Sequence, residues 1–248
     1  MLVALANGVR ITATAADKGG SYHCPACKAG LVLRKGAINV HHFAHRPPVD
    51  CVWGSGETLA HLEAKQAIHS AFAPRAFRAE MEWPVEGLKG DRRADVFVWD
   101  MRGAKVAFEL QHTAIGADEM AERSAAYMAA GIAVLWLPFL RPRYRAAAER
   151  PMAGEPGDWI IRPYMPQPFE RWLDRFCRHE LWYWAPRSGK VMRGRLESLG
   201  AGEARMALRL WGPYDPGRLA LRAGRRKAVS LARFNLPGGP VVALELPG

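Results

Sequence analysis

The feature that most constrains the fold of this chain is the stretch of residues 92–111, RRADVFVWDMRGAKVAFELQ. It contains two runs rich in Val and Phe, residues 94–99 and 105–111, and such runs are typical of buried strands. The letters DMRG between them are typical of a turn, in which Gly103 supplies conformational freedom. The stretch therefore predicts a β-hairpin inside a sheet.

Two carboxylates interrupt the apolar pattern of this hairpin, Asp95 and Glu109. Burial of an unpaired carboxylate is costly, so a cation is expected beside them. One interpretation is that both side chains meet at one end of the hairpin and hold a divalent metal, with Gln111 on the same face as Glu109. The other is that the two acids only cap the sheet or pair with Arg92 and Arg93.

The N-terminal part of the chain carries the pattern Cys-x2-Cys-x14-His-x2-His-x5-Cys, formed by Cys24, Cys27, His42, His45 and Cys51. Zinc in structural sites takes four nitrogen or sulfur ligands in a tetrahedron, and a CxxC turn presents two thiolates to one ion. The spacing predicts a structural zinc bound by Cys24 and Cys27 together with two of the other three residues. The alternative is a ribbon that has lost its metal.

A helix is predicted for residues 57–72, where small and apolar side chains recur at helical spacing before Pro74. Glu57, His61 and Lys65 lie at i, i+4 and i+8, so they share one face of this helix. The alternative interpretation is that these three side chains form a helix face exposed to solvent.

The segment after the hairpin predicts a βαβ unit. Residues 118–130 begin with acids and end at Gly131, as helices often do, and residues 132–137, IAVLWL, predict a buried strand. With this spacing, the last two strands should be parallel. Arg123 and Tyr127 lie on one face of the helix, where simple surface packing is the alternative to a functional role.

The charge of the chain is unevenly distributed. The net charge is +11, and residues 141–248 hold 20 Lys and Arg against 10 Asp and Glu, whereas residues 1–140 hold 15 against 14. The excess, which includes Arg225, Arg226 and Lys227, predicts an acidic polymer as partner, and nucleic acid first. An Arg-rich composition without a functional meaning is the alternative.

The last third of the chain predicts several elements. Residues 140–165, rich in Arg and Pro, predict a linker or an irregular cover, and residues 168–180 predict a helix. Residues 181–184 and 191–196 predict a hairpin. The Trp residues here can stack on bases or form the core of a small β unit, and the core is favoured.

Two features of the sequence indicate the cellular compartment of the protein. Four cysteines, two of them in a CxxC pair, fit metal binding in a reducing compartment better than disulfides. No run of about 18 apolar residues occurs, and the N-terminus lacks the basic and apolar regions of a signal peptide. A cytoplasmic protein without a membrane span is therefore expected.

Five motifs occur in order along residues 20–140: CxxC, HFAH, GE followed after three residues by His, RRADV, and ELQ. In this order they resemble the competence protein CoiA family, which is associated with natural transformation and the processing of incoming DNA for recombination. The resemblance implies an α/β fold in three parts. These are a zinc-ribbon-like module at residues 1–53, a PD-(D/E)XK nuclease-like mixed sheet flanked by helices at residues 54–140, and a basic C-terminal region at residues 141–248.

The resemblance also implies a reaction, the metal-dependent hydrolysis of DNA phosphodiester bonds. Asp95 and Glu109 would bind Mg²⁺ or Mn²⁺, and Glu57 would complete the acidic site. Gln111 stands where the wider superfamily often has Lys. This departure puts the rate in doubt, because an amide carries no charge, and Lys65 would supply the missing positive charge.

Three further residues, His61, Arg123 and Tyr127, would lie near the substrate or contact its phosphates. The zinc would be structural, and the implied partners are DNA, single strands included, and recombination proteins. The alternative function is a non-catalytic nucleic-acid-binding accessory of recombination that keeps the nuclease fold.

Overall fold

The structure is a computed structural model that describes residues 1–48, 50–51, 53, 57–85, 93–200, 206–231 and 233–247. The helices are α1 (Leu59–Phe72), α2 (Ala117–Ala129), α3 (Pro142–Ala146) and α4 (Pro168–Phe176). The strands are β1 (Val3–Ala6), β2 (Val9–Thr12), β3 (Tyr22–His23), β4 (Gly30–Arg34), β5 (His42–His45), β6 (Arg78–Pro84), β7 (Arg93–Trp99), β8 (Lys105–Gln111), β9 (Ala133–Pro138), β10 (Trp159–Tyr164), β11 (Leu181–Ala185), β12 (Lys190–Ser198), β13 (Met206–Tyr214), β14 (Ala220–Arg226), β15 (Val229–Leu231), β16 (Phe234–Leu236) and β17 (Gly239–Glu245).

A four-stranded mixed sheet in the order β6-β7-β8-β9 lies at the centre of the fold. The strands β6, β7 and β8 are antiparallel neighbours, and β9 lies parallel to β8 because α2 carries the chain back along the sheet. The predicted hairpin and the predicted βαβ unit are therefore confirmed. The mixed α/β fold class is confirmed as well, with the order αβββαβ of a PD-(D/E)XK nuclease-like core.

The helices α1 and α2 pack on opposite faces of this sheet. Ile68 of α1 belongs to the same hydrophobic cluster as Val96 of β7, whereas Met120 of α2 belongs to the same cluster as Phe97. Successive side chains of a strand point to opposite faces, so neighbouring residues of β7 serve different helices. Burial on both faces explains why the hairpin sequence is nearly continuous in apolar residues.

The turn between β7 and β8 is closed by Asp100. Its Oδ1 accepts hydrogen bonds from the backbone N–H groups of Arg102 at 2.9 Å and Ala104 at 2.7 Å. Gly103 has a φ of +82°, a conformation that side chains disfavour. The turn that the letters DMRG predict is therefore confirmed.

The helix α1 begins at Leu59, two residues later than the sequence predicts. Thr58 is its N-cap, and the Thr58 side chain accepts a hydrogen bond from the His61 backbone N–H at 3.2 Å. Glu57 therefore lies before the helix rather than in its first turn.

The N-terminal unit, residues 1–53 as far as they are described, contains a five-stranded sheet in the order β2-β1-β3-β4-β5. Its own hydrophobic cluster is small and includes Tyr22, Phe43 and Trp53. A core of this size gives little stability by itself, which fits the expectation of a stabilising metal.

The C-terminal region forms a sheet in the order β10-β13-β12-β11, followed by the ribbons β14–β17 and β15–β16. The predicted helix near residues 168–180 and the following hairpin are confirmed as α4, β11 and β12. The prediction of a linker at residues 140–165 is wrong, because α3 and β10 lie there and β10 pairs with the distant β13. The interpretation of the Trp residues as core is confirmed for Trp172, Trp182 and Trp184, which are buried.

The C-terminal region and the central sheet share their hydrophobic core. One cluster contains Met120 and Trp136 of the sheet layer together with Trp172, Tyr183 and Leu236 of the C-terminal region. Removal of the C-terminal region would therefore expose the α2 side of the central sheet. The boundaries predicted at residues 53 and 140 stay predictions.

Two residues named from the sequence lie outside the described residues, namely Arg92 and the glycine of the GE motif, Gly56. Among the helices that the structure describes, none is long and apolar enough to cross a membrane.

Candidate functional site

A cluster of three cysteines and one histidine lies in the N-terminal unit. One ligand atom from each of Cys24, Cys27, His45 and Cys51 can be chosen so that all four lie within 4.8 Å of one another. The Sγ atoms of Cys24 and Cys51 are 3.8 Å apart, and Cys27 Sγ lies 3.4 Å from His45 Nε2. Tetrahedral zinc with bonds of about 2.3 Å separates two sulfur ligands by roughly 3.8 Å. The cluster therefore has the donors and the spacing of a structural zinc site.

His42 is the one predicted zinc ligand outside this cluster. Its Nδ1 lies 2.9 Å from the Val40 carbonyl oxygen. His42 and His45 begin and end β5, and residues three apart on a strand point to opposite faces. This alternation explains why only one of the two histidines can join the cysteines, and the geometry selects His45 and Cys51.

A second cluster lies between α1 and the central hairpin. One ligand atom from each of Glu57, His61 and Asp95 can be chosen within 4.8 Å of the others. His61 Nε2 is 3.2 Å from Asp95 Oδ2, and His61 Nδ1 is 3.8 Å from Glu57 Oε1. His61 Nδ1 is buried and has no hydrogen-bond partner among the described residues. Two carboxylates and an imidazole nitrogen are donors that suit a divalent cation.

Asp95 occupies an irregular position in the sheet. The regular pairing of β7 with β8 runs from Trp99–Lys105 to Val96–Phe108, and beyond it Asp95 Oδ2 accepts a hydrogen bond from the Leu110 backbone N–H at 2.8 Å. Burial raises the pKa of Asp95, but His61, Lys65 and the Leu110 N–H together outweigh burial and hold the pKa at about 2. Asp95 is therefore ionised at neutral pH and can bind a cation.

Glu57 and Lys65 belong to a buried network of charged side chains. Lys65 is 0% exposed, and its Nζ donates to Glu57 Oε1 and Glu82 Oε1. Arg93 Nη2 donates to Glu57 Oε1 at 3.2 Å, and Arg93 Nη1 lies 3.4 Å from Glu82 Oε2. Since Lys65 is completely buried between two acids, the interpretation of its helix face as solvated is wrong.

Glu82 was not identified from the sequence. Regular alternation along β6 would place Glu80 and Glu82 on one face, which suggests two exposed acids. Glu82 instead has a φ of +52°, and the pairing of β6 with β7 skips it, passing from Met81–Val96 to Trp83–Ala94. This irregularity turns the carboxylate inward, where Glu82 is 0% exposed. An acid within the mostly apolar run AEMEWPV is the only local signal that could have drawn attention to it.

Glu109 is held by α2 rather than by the Glu57–His61–Asp95 cluster. Its Oε1 accepts a hydrogen bond from the Tyr127 hydroxyl, and its Oε2 accepts one from Arg123 Nη2. Burial raises the pKa of Glu109 to about 7, with a further contribution from Asp95, although Arg123 and Tyr127 oppose the shift. The residues Arg123 and Tyr127, predicted as phosphate contacts, thus bind a carboxylate. The prediction that Glu109 shares a metal with Asp95 stays a prediction.

Gln111 and His112 follow Glu109 at the end of β8. Gln111 Nε2 donates to the Thr113 carbonyl oxygen at 2.7 Å. The His112 ring stacks on the His61 ring with centroids 4.6 Å apart. His112 was not singled out from the sequence, because it lies one residue beyond the ELQ motif.

The fold and the two clusters place this chain in the PD-(D/E)XK nuclease-like class, behind a zinc-ribbon-like unit. Comparison with protein families agrees: residues 8–54 match the N-terminal domain of competence protein CoiA, and residues 57–149 match its nuclease-like domain. The chain belongs to the competence protein CoiA family. No curated protein and no solved structure matches it.

Proposed function

We propose that the protein is a metal-dependent DNA nuclease that acts on DNA during natural transformation or recombination. The observation that carries this proposal is the Glu57–His61–Asp95 cluster in a nuclease-like domain, with a buried imidazole nitrogen that no described residue satisfies. Glu57, His61 and Asp95 would hold a divalent cation. Because one donor is a nitrogen, Mn²⁺ suits this set better than Mg²⁺, which prefers oxygen ligands.

A divalent cation bound there would supply Lewis acidity and an acidic bound water for phosphodiester hydrolysis. The residues of the chain supply the rest. Asp95 fixes His61 through the contact at 3.2 Å, and the stacked His112 ring restricts the rotation of His61. Glu109, whose pKa burial raises to about 7, can hold or release a proton at neutral pH. Gln111, which stands where the wider superfamily often has Lys, lies two residues further along the same strand and could orient water by hydrogen bonding.

One observation favours a second function, a non-catalytic accessory of recombination that binds nucleic acid. Glu57 already contacts protein cations, Lys65 and Arg93 among them, so part of the charge available to a metal is neutralised. A protein that only binds DNA would tolerate this neutralisation. The two functions differ in whether a divalent cation binds at Asp95.

The test is cleavage of DNA by the full chain with Mn²⁺ or Mg²⁺, compared with Asp95→Asn. The substitution keeps the size of the side chain and removes the charge that binds the cation. Cleavage should fall by on the order of 10³-fold or more, since a bound metal contributes several kcal/mol to the transition state. Asp100→Asn is the matched control, because the turn at the other end of the hairpin needs only the Oδ1 acceptor. Equal cleavage by wild type and Asp95→Asn would favour the accessory function.

The basic C-terminal region supports DNA as the partner. Arg225 and Lys227 are exposed on and after β14, whereas Arg226 donates to the Phe176 carbonyl oxygen and stacks on the Phe176 ring, so it has a structural role. Charge-reversing substitutions should therefore be made at Arg225 and Lys227 rather than at Arg226.

Arg225→Glu together with Lys227→Glu should weaken DNA binding and its dependence on salt. The slope of log K against log salt should fall by about one unit for each phosphate that the variant no longer neutralises. Fluorescence anisotropy with single-stranded and double-stranded oligonucleotides at several salt concentrations measures this slope. Arg102→Glu with Lys105→Glu, an equal change at the exposed hairpin turn, is the control. The same slope in both variants would mean that the excess charge of the C-terminal region is incidental.

A further inference from the structure

A single buried carboxylate, Glu82, connects the N-terminal unit to the acidic site. The backbone N–H groups of Leu2 and Val3 donate to Glu82 Oε1 at 2.9 Å and Oε2 at 3.2 Å. Arg10 Nη2 donates to the carbonyl oxygens of Met81 at 2.8 Å and Glu82 at 3.2 Å. Both the side chain and the irregular backbone of Glu82 are therefore held by the N-terminal unit.

The same unit also holds Arg93. Arg93 Nη2 donates to the Trp53 carbonyl oxygen at 3.1 Å, and its guanidinium lies 4.6 Å from the centre of the Trp53 ring. Trp53 follows the zinc-cluster residue Cys51 by two positions. The guanidinium is thus fixed on one side by the segment next to the zinc cluster, and on the other by Glu57 and Glu82.

The charges of the side chains in this network balance in pairs. Lys65 and Arg93 each contact both Glu57 and Glu82, so two cations are shared by two acids. The Met1 amino group, 3.0 Å from Glu57 Oε2, adds further positive charge on the Glu57 side. If Glu82 lost its charge, Glu57 would be the one acid of this network still in contact with Lys65 and Arg93, with Asp95 acting on them only through space. Glu57 would then be more than neutralised, and a divalent cation beside it would meet a net positive charge in a poorly solvated place.

We propose that Glu82 is a positioning residue of the acidic site: it binds Lys65 and Arg93 so that Glu57 keeps negative charge for a divalent cation. The N-terminal unit takes part in the site by fixing Glu82. This inference rests on the proposed function, because it concerns the affinity of the same cation site. Glu82 touches neither substrate nor the reacting atoms and acts through its two cationic neighbours.

The experiment is a calorimetric titration of the full, zinc-loaded chain with Mn²⁺. Glu82→Gln keeps the shape of the side chain and removes its charge, so Mn²⁺ should bind about tenfold more weakly or worse. Glu80→Gln is the matched control, since it makes the same change two residues away on the same strand, where Glu80 pairs with Arg78 at the surface. Its Mn²⁺ affinity should equal that of the wild type.

A second pair of variants separates charge balance from a purely structural role. Lys65→Met removes one cation from the network and should tighten Mn²⁺ binding about tenfold. Lys65→Met combined with Glu82→Gln restores the balance and should return the affinity to near that of the wild type. A structural role predicts lower melting temperatures in all three variants, without this reciprocal change in affinity of the folded protein. If Glu82→Gln does not fold, an unchanged Mn²⁺ affinity in Lys65→Met overturns the proposal by itself.

Failure of this inference can be told apart from failure of the proposed function. If the wild type binds no Mn²⁺, or binds it as well as Asp95→Asn does, both are overturned. If Asp95→Asn loses Mn²⁺ while Glu82→Gln keeps the affinity of the wild type, only the role of Glu82 is overturned. Loss of affinity in Glu82→Gln with recovery in the double variant supports both.

Discussion

The two clusters of metal-binding side chains differ in what surrounds their donors. In the zinc cluster, the Sγ atom of Cys24 lies against Cys51, and that of Cys27 lies against His45, so donors of the cluster contact one another. In the acidic cluster, His61 contacts Asp95, but Glu57 also contacts the cations Lys65 and Arg93. The first cluster could bind a structural zinc that stays in place, whereas in the second the protein's own cations neutralise part of the acidic charge. This contrast is the one expected between a resident structural metal and an exchangeable one.

Loss of zinc should have the largest effect on stability. Burial raises the pKa of Cys24 to about 11, so binding of zinc would have to displace the proton of this thiol. Cys24→Ser should abolish stoichiometric zinc and lower the free energy of unfolding by several kcal/mol, because structural zinc contributes on the order of 10 kcal/mol in small domains. Elemental analysis and urea unfolding measure the two effects.

His42→Gln is the control for this experiment, since His42 lies outside the zinc cluster and should keep both zinc and stability. A wild-type protein that carries no zinc after purification without chelators would remove the distinction between the two clusters.

The next largest effect on the free energy of unfolding should come from Glu109, whose titration makes this free energy depend on pH. Its folded-state pKa of about 7 lies above the ordinary value of 4.5, chiefly because of burial. The unfolded chain therefore releases the proton first, and the stability present below pH 4.5 is lost as the pH rises to 7. Relative to the wild type, Glu109→Gln should gain about 3 kcal/mol between these pH values.

Chemical unfolding of both proteins in steps of pH tests this expectation. A constant difference in unfolding free energy from pH 4.5 to pH 8 would show that Arg123 fully compensates the carboxylate. Glu109 would then resemble Glu57 in being neutralised by protein cations.

Binding of a divalent cation should have the smallest of the three effects on the free energy of unfolding. Mn²⁺ at ten times its dissociation constant should stabilise the wild type by about 1.4 kcal/mol, and should leave Asp95→Asn unchanged. Thermal unfolding of the zinc-loaded proteins with and without Mn²⁺ measures the difference. A gain as large as that from zinc would contradict the contrast between a resident and an exchangeable metal.

The sequence predicts those parts of the structure that local patterns determine. The hairpin of β7 and β8 is predictable because two apolar runs flank a turn with Gly103, and the parallel β9 because a helix of the right length precedes it. Strand alternation could also have shown that only one of His42 and His45 joins the cysteines, although not which one.

The rest depends on contacts between distant residues. Glu82 binds Lys65 and the backbone of Leu2, which no spacing in the sequence connects. Lys65 resembles a surface residue in the sequence because its two acidic partners lie outside its own helix. The strand β10 is not predictable from the sequence for the same reason, because its partner β13 is far along the chain. Its own sequence also contains Pro163, which disfavours a strand.

The core shared by the two halves of the chain has a consequence during synthesis. The cluster on the α2 side of the central sheet includes Leu236, and the cluster on the α1 side includes Leu219 and Leu244. A ribosome that adds about 5–20 residues per second needs roughly 5–20 s to proceed from β9 to these positions. Throughout that interval the sheet carrying Asp95 has both faces incompletely covered. A nascent chain that has not yet reached these positions therefore holds every residue of the acidic cluster without the packing that covers the sheet carrying Asp95.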